Sequence, residues 1–126
     1  RKGKSDRAVL VELFTGAQCP PCVAADLAFD ALEKTYKDSE VVLLQYHVHV
    51  PGPDPLTAPE SEGRFNFYEE AEGTPATFFN GKLGAAGGGG NEEASEKYDE
   101  YLAAIDPLLE REAEAKLTLS AKRKGD

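Results

Sequence analysis

The sequence contains only two cysteines, Cys19 and Cys22, and two prolines separate them. A loop this short gives a disulfide little power to stabilise a fold, so stabilisation alone does not explain the pair. Two thiols at this spacing can instead exchange a disulfide with a substrate. At the start of a helix, the partial positive charge favours the thiolate of Cys19. Cys19 is then the attacking nucleophile, and Cys22, one helical turn along, is the resolving thiol.

The residues on either side of the pair predict the strand and the helix that this chemistry requires. Residues 7–14 are rich in aliphatic residues and form a nearly continuous run, as in a central parallel strand covered on both faces. After Cys22, apolar residues recur three and four apart to about residue 37, which predicts an amphipathic helix. Pro20 and Pro21 mark the helix start, because proline is tolerated in a first helical turn.

Two further segments continue the alternation of strand and helix. Residues 40–50 form a second β-rich apolar run, which ends at a proline-rich turn. A helix is predicted from residue 58 to residue 72, and Thr57 and Glu60 have the spacing of a capping box at its start. His47 and His49 lie two apart on the predicted strand, so their side chains are expected on one face of the sheet.

The last third of the domain predicts a hairpin and a final helix. Asn80 and Gly81 favour a tight turn between strands at residues 74–79 and 82–86. The glycine run 87–90 is interpreted as a flexible connector. The final helix begins near residue 92, and Pro107 is expected to kink or divide it.

The resulting order, β-α-β-α-β-β-α, defines an α/β fold class. By the right-handed crossover rule, the first two strands are parallel neighbours and the hairpin completes a mixed four-stranded sheet with helices on both faces. Residues 1–6 are a polar leader, and residues 7–113 form the domain. Residues 114–126 are a tail or the start of a following domain, because residues 115–121 alternate apolar and polar as a strand would.

Charge and hydropathy exclude several classes of partner. The formal net charge of -9 argues against nucleic acid and anionic membranes, which attract basic surfaces. The Lys and Arg residues at the two termini are interpreted as solvated tails. No apolar run approaches the roughly 20 residues that a membrane-spanning helix needs.

Two motifs resemble the thioredoxin-like superfamily over most of residues 7–113. They are Val-Glu-Leu-Phe-Thr leading into Cys-Pro-Pro-Cys, and Gly-Thr-Pro before a hairpin strand Ala-Thr-Phe-Phe. The resemblance implies that Pro75 is a cis-proline beside the Cys pair, that Thr74 offers its backbone to the substrate, and that Pro20 and Pro21 line the same site. It also implies a thiol-disulfide oxidoreductase that needs no cofactor, acts as a monomer, and meets protein thiol or disulfide substrates and a redox partner.

A narrower resemblance is to an uncharacterised family of bacterial secreted thioredoxin-like proteins. It is carried by Glu-Leu-Phe-Thr before the Cys pair and by His-Val with a downstream Asp-Pro. This resemblance favours an extracytoplasmic location, periplasmic or secreted. The Pro-Pro dipeptide resembles extracytoplasmic reductases, and a proline next to Cys22 removes an N–H that could stabilise a thiolate, so a reductant is favoured over a strong oxidant.

The chain departs from ordinary thioredoxins in ways that affect the site. No Trp precedes Cys19, the usual leading strand and helix are missing, and Leu13 occupies the position expected for a buried acid. Glu12 is the candidate proton relay for Cys22, although strand alternation places it on the opposite face from Leu13. A partly solvated or capping role for Glu12 is the alternative.

Two other functions stay open at this point. Structural zinc requires four ligands and no second Cys pair exists, but Cys19 and Cys22 with His47 and His49 could bind a metal, as in copper-handling proteins of the resembled fold. The chain could also be an interaction domain whose Cys pair is redox-sensing or idle.

Overall fold

The computed structural model describes residues 7–125, in which strands and helices follow the predicted order. The strands are β1 (Val9–Thr15), β2 (Val41–His47), β3 (Ala76–Phe79) and β4 (Lys82–Gly84). The helices are α1 (Cys22–Thr35), α2 (Pro59–Phe67) and α3 (Ala94–Leu109), and a 3₁₀ turn (Asn91–Glu93) leads into α3. None of the helices within residues 7–125 is long and apolar enough to cross a membrane.

The four strands form one mixed sheet in the order β2-β1-β3-β4. β1 and β2 are parallel, and their register places Thr15 beside His47. β3 is antiparallel to both β1 and β4. The predicted α/β fold class with a central mixed four-stranded sheet is confirmed.

Alternation along β1 divides the core into two layers. Val9, Val11 and Leu13 are fully buried against α1 and α3. Phe14 points to the opposite face, where it packs with an aromatic cluster that includes Phe78 and residues in and after α2. Because side chains alternate along a strand, Thr15 lies on the α1 face and Glu12 on the α2 face. This division decides which polar groups can reach the Cys pair.

Several predicted boundaries differ in the structure, most of all the ends of β2 and α2. β2 ends at His47, three residues early, although the Val48 N–H still donates to Thr15 O at 3.0 Å. α2 ends at Phe67, five residues early, and its N-cap is Ala58. The capping-box prediction was therefore wrong, since the Thr57 hydroxyl is buried without a hydrogen-bond partner within residues 7–125.

The end of the chain also departs from expectation. α3 is not divided, because Pro107 lies in its last turn and the helix ends two residues later. Residues 111–125 contain no helix or strand, so the strand predicted at 115–121 is absent from the described part of the chain. Leu117 and Leu119 are accordingly 95% and 96% exposed, with no neighbouring strand to cover them. A following domain stays a prediction, and the leader 1–6 lies outside the described residues.

Candidate redox site at the Cys pair

The Cys pair lies at the junction of β1 and α1, as the sequence predicted. Cys22 is the first residue of α1, and its N–H donates to Cys19 O at 3.0 Å. The two sulfurs form a disulfide with an S–S distance of 2.08 Å. Pro21 is the N-cap residue, and both prolines are exposed, so they form the outer surface of the site.

The Thr74-Pro75 loop lies directly beside Cys19. The Sγ atom of Cys19 is 3.5 Å from the carbonyl oxygen of Thr74, and the Thr74–Pro75 peptide bond is cis. The Thr74 hydroxyl donates to Val50 O at 2.8 Å, which ties this loop to the one after β2. Cys19 is 6% exposed and Cys22 only 1% exposed, so Cys19 is the sulfur that a substrate can reach first.

The glycine run 87–90 is part of this site, which corrects its interpretation as a flexible connector. Gly89 O accepts the Ala24 N–H at 2.9 Å, and the Gly89 N–H donates to Pro21 O at 2.8 Å. A Cβ at Gly88 would lie 1.9 Å from Pro21 O and 2.9 Å from Pro75 Cγ, so only glycine fits. The N-cap residue of α1 provides no side-chain hydrogen bond. The backbone of the glycine run therefore caps this helix.

Lys97 fixes the chain just before the glycine run. Its Nζ donates to Ala85 O and Ala86 O at 3.1 Å each, and it forms an ion pair with Glu100 at 2.7 Å. The side chain is buried, which is rare for lysine and here follows from its three partners. A single lysine in an amphipathic helix gives no sequence signal for this role.

Glu12 lies in a polar network on the other face of the sheet. It is fully buried, and Arg64 from α2 contacts both carboxylate oxygens, with Nε at 2.7 Å and Nη2 at 3.1 Å. The hydroxyls of Tyr46 and Tyr68 also donate to it, at 2.9 Å and 2.5 Å. Burial raises the pKa of Glu12, but hydrogen bonds from Arg64, Tyr68 and Tyr46 outweigh it and leave the pKa lowered.

Because of these contacts, Glu12 is not positioned to act as the proton relay for Cys22 that the sequence suggested. Its four hydrogen bonds go to Arg64 and to the two tyrosines, and none goes to either sulfur. A lowered pKa also makes a carboxylate a weaker proton acceptor. Strand alternation in the sequence had already placed Glu12 on the face opposite Leu13, and the structure places its partners there.

His47 and His49 both form hydrogen bonds with Asp54, a fully buried residue in the loop that follows β2. Asp54 Oδ2 is 2.7 Å from His47 Nδ1 and also accepts the Ala17 N–H at 2.9 Å. Oδ1 accepts the Leu56 N–H at 2.8 Å, and the Asp54 N–H donates to His49 Nδ1 at 3.0 Å. Burial raises the pKa of Asp54, but the Leu56 N–H, His47 and the Ala17 N–H together lower it.

Asp26 is a second carboxylate near the pair that the sequence did not single out. It lies one helical turn after Cys22 in α1 and accepts a hydrogen bond from Gln45 Nε2 at 3.1 Å. Burial raises its pKa, and a smaller lowering comes from the Thr15 hydroxyl, from the charge of His47 and from Gln45. Among residues 7–125, the buried Thr15 hydroxyl has no well-aligned hydrogen-bond partner, yet it is close enough to lower the pKa of Asp26.

The metal set considered as an alternative is not assembled in the described part of the chain. The two sulfurs are joined to each other, and the two histidines contact Asp54. Across residues 7–125, no group of three or more His, Cys, Asp or Glu side chains is arranged to hold a metal ion.

The order of elements, the mixed sheet and the Cys pair at the junction of β1 and α1 agree with the α/β fold and the strand-to-helix junction that the sequence predicted. Among solved structures, the chain is similar to one described as thioredoxin-like superfamily protein SPOA0173. The two share 18% sequence identity with a TM-score of 0.44, over 79% of this chain and 81% of that chain. No protein-family model and no curated protein matches the sequence.

Proposed function

We propose that this chain is a thiol-disulfide oxidoreductase that acts through Cys19 and Cys22. The observation that carries the proposal is the position of the disulfide, which joins the loop before α1 to the first residue of that helix, with Cys19 Sγ 3.5 Å from Thr74 O. A helix N-terminus favours the thiolate, and the adjacent Thr74 backbone offers polar groups to an extended substrate.

The reaction proceeds by two thiolate attacks. In the reducing direction, the Cys19 thiolate attacks a substrate disulfide, one substrate sulfur leaves as a thiolate, and a mixed disulfide forms. The Cys22 thiol then loses its proton and attacks Cys19 Sγ. This step forms the Cys19–Cys22 disulfide and releases the second substrate thiolate, so two electrons pass to the substrate. A dithiol partner must then reduce the enzyme for another cycle.

We propose that the chain is a reductant and not a strong oxidant. Strong oxidants depend on extra stabilisation of the thiolate form. Here Pro21 has no N–H, and Gly89 O already accepts the Ala24 N–H at the start of α1. Both features reduce the number of donors available to a thiolate at this helix end, which supports a lower reduction potential.

We propose that the chain acts as a monomer without a cofactor. Its proposed partners are protein thiols or disulfides outside the cytoplasm. Exposed Val23 and Leu27 on α1, at 40% and 44% exposure, provide an apolar surface near Cys22 that suits a polypeptide substrate. Fractionation of source cells, with alkylation of free thiols before lysis, tests the compartment. Recovery of the protein in the cytoplasmic fraction would contradict that location.

Trapping of the mixed disulfide is the decisive test of the function. A Cys22→Ser variant keeps the nucleophile but cannot resolve, so it should accumulate a covalent adduct with a disulfide-containing peptide, detected by mass. Cys19→Ser is the matched control and should form much less adduct, because Cys22 is buried. Equal trapping by the two variants would contradict the assigned roles, and no adduct with either would overturn the function.

The reduction potential then tests the direction. Equilibration of the wild type in a dithiothreitol redox buffer, followed by alkylation and mass, gives the fraction of disulfide. A potential near that of thioredoxin, about -270 mV, supports a reductant, whereas one near about -120 mV identifies an oxidant.

A further inference from the structure

The α1 face of the sheet carries a polar cluster at the ends of β1 and β2, which we define as Thr15, Asp26, His47 and Asp54. Thr15 and His47 are paired neighbours at the ends of β1 and β2. Asp26 faces them from α1, because its hydrogen bond to Gln45 holds it over β2 and the charge of His47 acts on it. Cys22 precedes Asp26 by one helical turn. The cluster therefore lies between the loop after β2 and the first turns of α1.

Asp54 fixes the tautomer of His47. A carboxylate can only accept, so the 2.7 Å contact with Asp54 Oδ2 requires a proton on His47 Nδ1. In a neutral imidazole, the lone pair is then on Nε2, which has no hydrogen-bond partner within the described residues. His49 has the opposite arrangement, since its Nδ1 accepts the Asp54 N–H. Only His47 is thus held with a basic nitrogen in this cluster.

The same carboxylate also holds the loop that leads to Cys19. Asp54 Oδ2 accepts the N–H of Ala17, two residues before Cys19, as well as the proton of His47. One buried oxygen thus links the imidazole to the backbone of the Cys19 loop.

We propose that His47, oriented by Asp54, takes up a proton when the Cys19–Cys22 disulfide is reduced and releases it when the disulfide forms again. The proposal rests on the proposed redox function and adds a residue to it. Reduction by a dithiol supplies two electrons and breaks the S–S bond. One proton binds the Cys22 thiolate, the second binds His47, and Cys19 stays as the thiolate.

Electrostatics favour this coupling. The oxidised pair is uncharged, and reduction adds one negative charge at Cys19, which attracts a proton to a nearby base. Histidine is the side chain whose ordinary pKa lies near neutrality, so it can respond at physiological pH. The charged groups facing His47 are Asp54 from the loop and Asp26 from α1, and His49 reaches it only through Asp54.

The test is the pH dependence of the reduction potential, measured for the full chain between pH 5 and pH 9. An additional proton makes the equilibrium with the reducing dithiol change tenfold more per pH unit, which is about 30 mV for a two-electron couple. The wild type should show this steeper segment near neutrality, and His47→Gln should lose it. His49→Gln is the matched control and should keep it, because His49 does not donate to Asp54.

A second measurement does not depend on a variant. The NMR titration of the His47 ring in wild-type protein should have a higher midpoint in the reduced state than in the oxidised state, because the thiolate forms only on reduction. Equal midpoints, or equal slopes in folded wild type and folded His47→Gln, overturn the role of His47. A wild type that exchanges no disulfide overturns the redox function instead, so the two failures are distinguishable.

Discussion

Removal of the Arg64 guanidinium is the sharpest test of the buried network on the α2 face. In Arg64→Met, the fully buried Glu12 loses two contacts, at 2.7 Å and 3.1 Å, and keeps only the two tyrosine hydroxyls. Breaking a buried ion pair costs about 3–5 kcal/mol, because a charge is left unpaired. Arg64 is 34% exposed, so solvent screening places the cost near the lower limit, about 3 kcal/mol.

Urea denaturation and thermal unfolding measure this loss. For a domain of this size, about 3 kcal/mol corresponds to a fall in Tm of about 12 °C. Lys34→Met is the matched control, because it breaks an exposed pair with Asp30 in which the side chains are 81% and 66% exposed. Its effect should stay below about 0.5 kcal/mol.

The pH dependence separates the lost charge pair from lost packing against Phe67 and Tyr68. In the wild type, the pKa of Glu12 is lowered from 4.5, so its stabilisation is present above 4.5 and is lost as the pH falls through the folded pKa. In Arg64→Met, burial of Glu12 dominates and raises its pKa, so protonation relieves the unpaired charge. The difference between the two proteins should therefore be largest at pH 7 and narrow towards pH 4. A difference that is constant with pH, or no larger than in Lys34→Met, would refute the reasoning.

Two further predictions concern the backbone cap on α1. Gly88→Ala should destabilise the protein by about 1–3 kcal/mol in urea denaturation, since its Cβ would overlap Pro21 O. The control Gly63→Ala in α2, with open space around it, should be neutral or stabilising. Equal effects of the two variants would show that the cap is not needed. Lys97→Met should leave Ala85 O and Ala86 O without their donor and increase hydrogen exchange of residues 85–90, with a stability loss of about 1–3 kcal/mol. Unchanged exchange in that segment would contradict the anchoring role.

The order of elements could be predicted from the sequence because each carries a local signal. Three such signals depend only on residues that are neighbours in the sequence, and the structure agrees with them. They are the aliphatic run of β1, the helical spacing after Cys22 and the Asn80-Gly81 turn. The spacing of Cys19 and Cys22 likewise predicted a cysteine pair at a strand-to-helix junction, where the structure has it. Asn80 and Gly81 indeed have positive φ angles of 51° and 84°, as the turn requires.

The parts of the site that the sequence did not predict depend on contacts between distant segments. The run 87–90 looks flexible alone, and its role follows from a close approach to Pro21, more than 60 positions earlier. The partner of Glu12 is 52 residues away, so neither its burial nor its ion pair leaves a local pattern. His47 and His49 were expected on one sheet face, but β2 ends at His47, and Asp54 brings them together instead.

The two faces of the sheet place the buried carboxylates Glu12 and Asp54 in different surroundings, with different side-chain partners. Glu12 is paired with a guanidinium, so its negative charge is compensated and remains over the pH range in which the Cys pair would work. Asp54 is paired instead with the imidazole of His47. Because β1 directs Glu12 to α2 and Thr15 to α1, only the second carboxylate shares a face with the Cys pair. The proposed proton exchange with the disulfide therefore belongs to the α1 face, whereas Glu12 and Arg64 stabilise the fold from the α2 face.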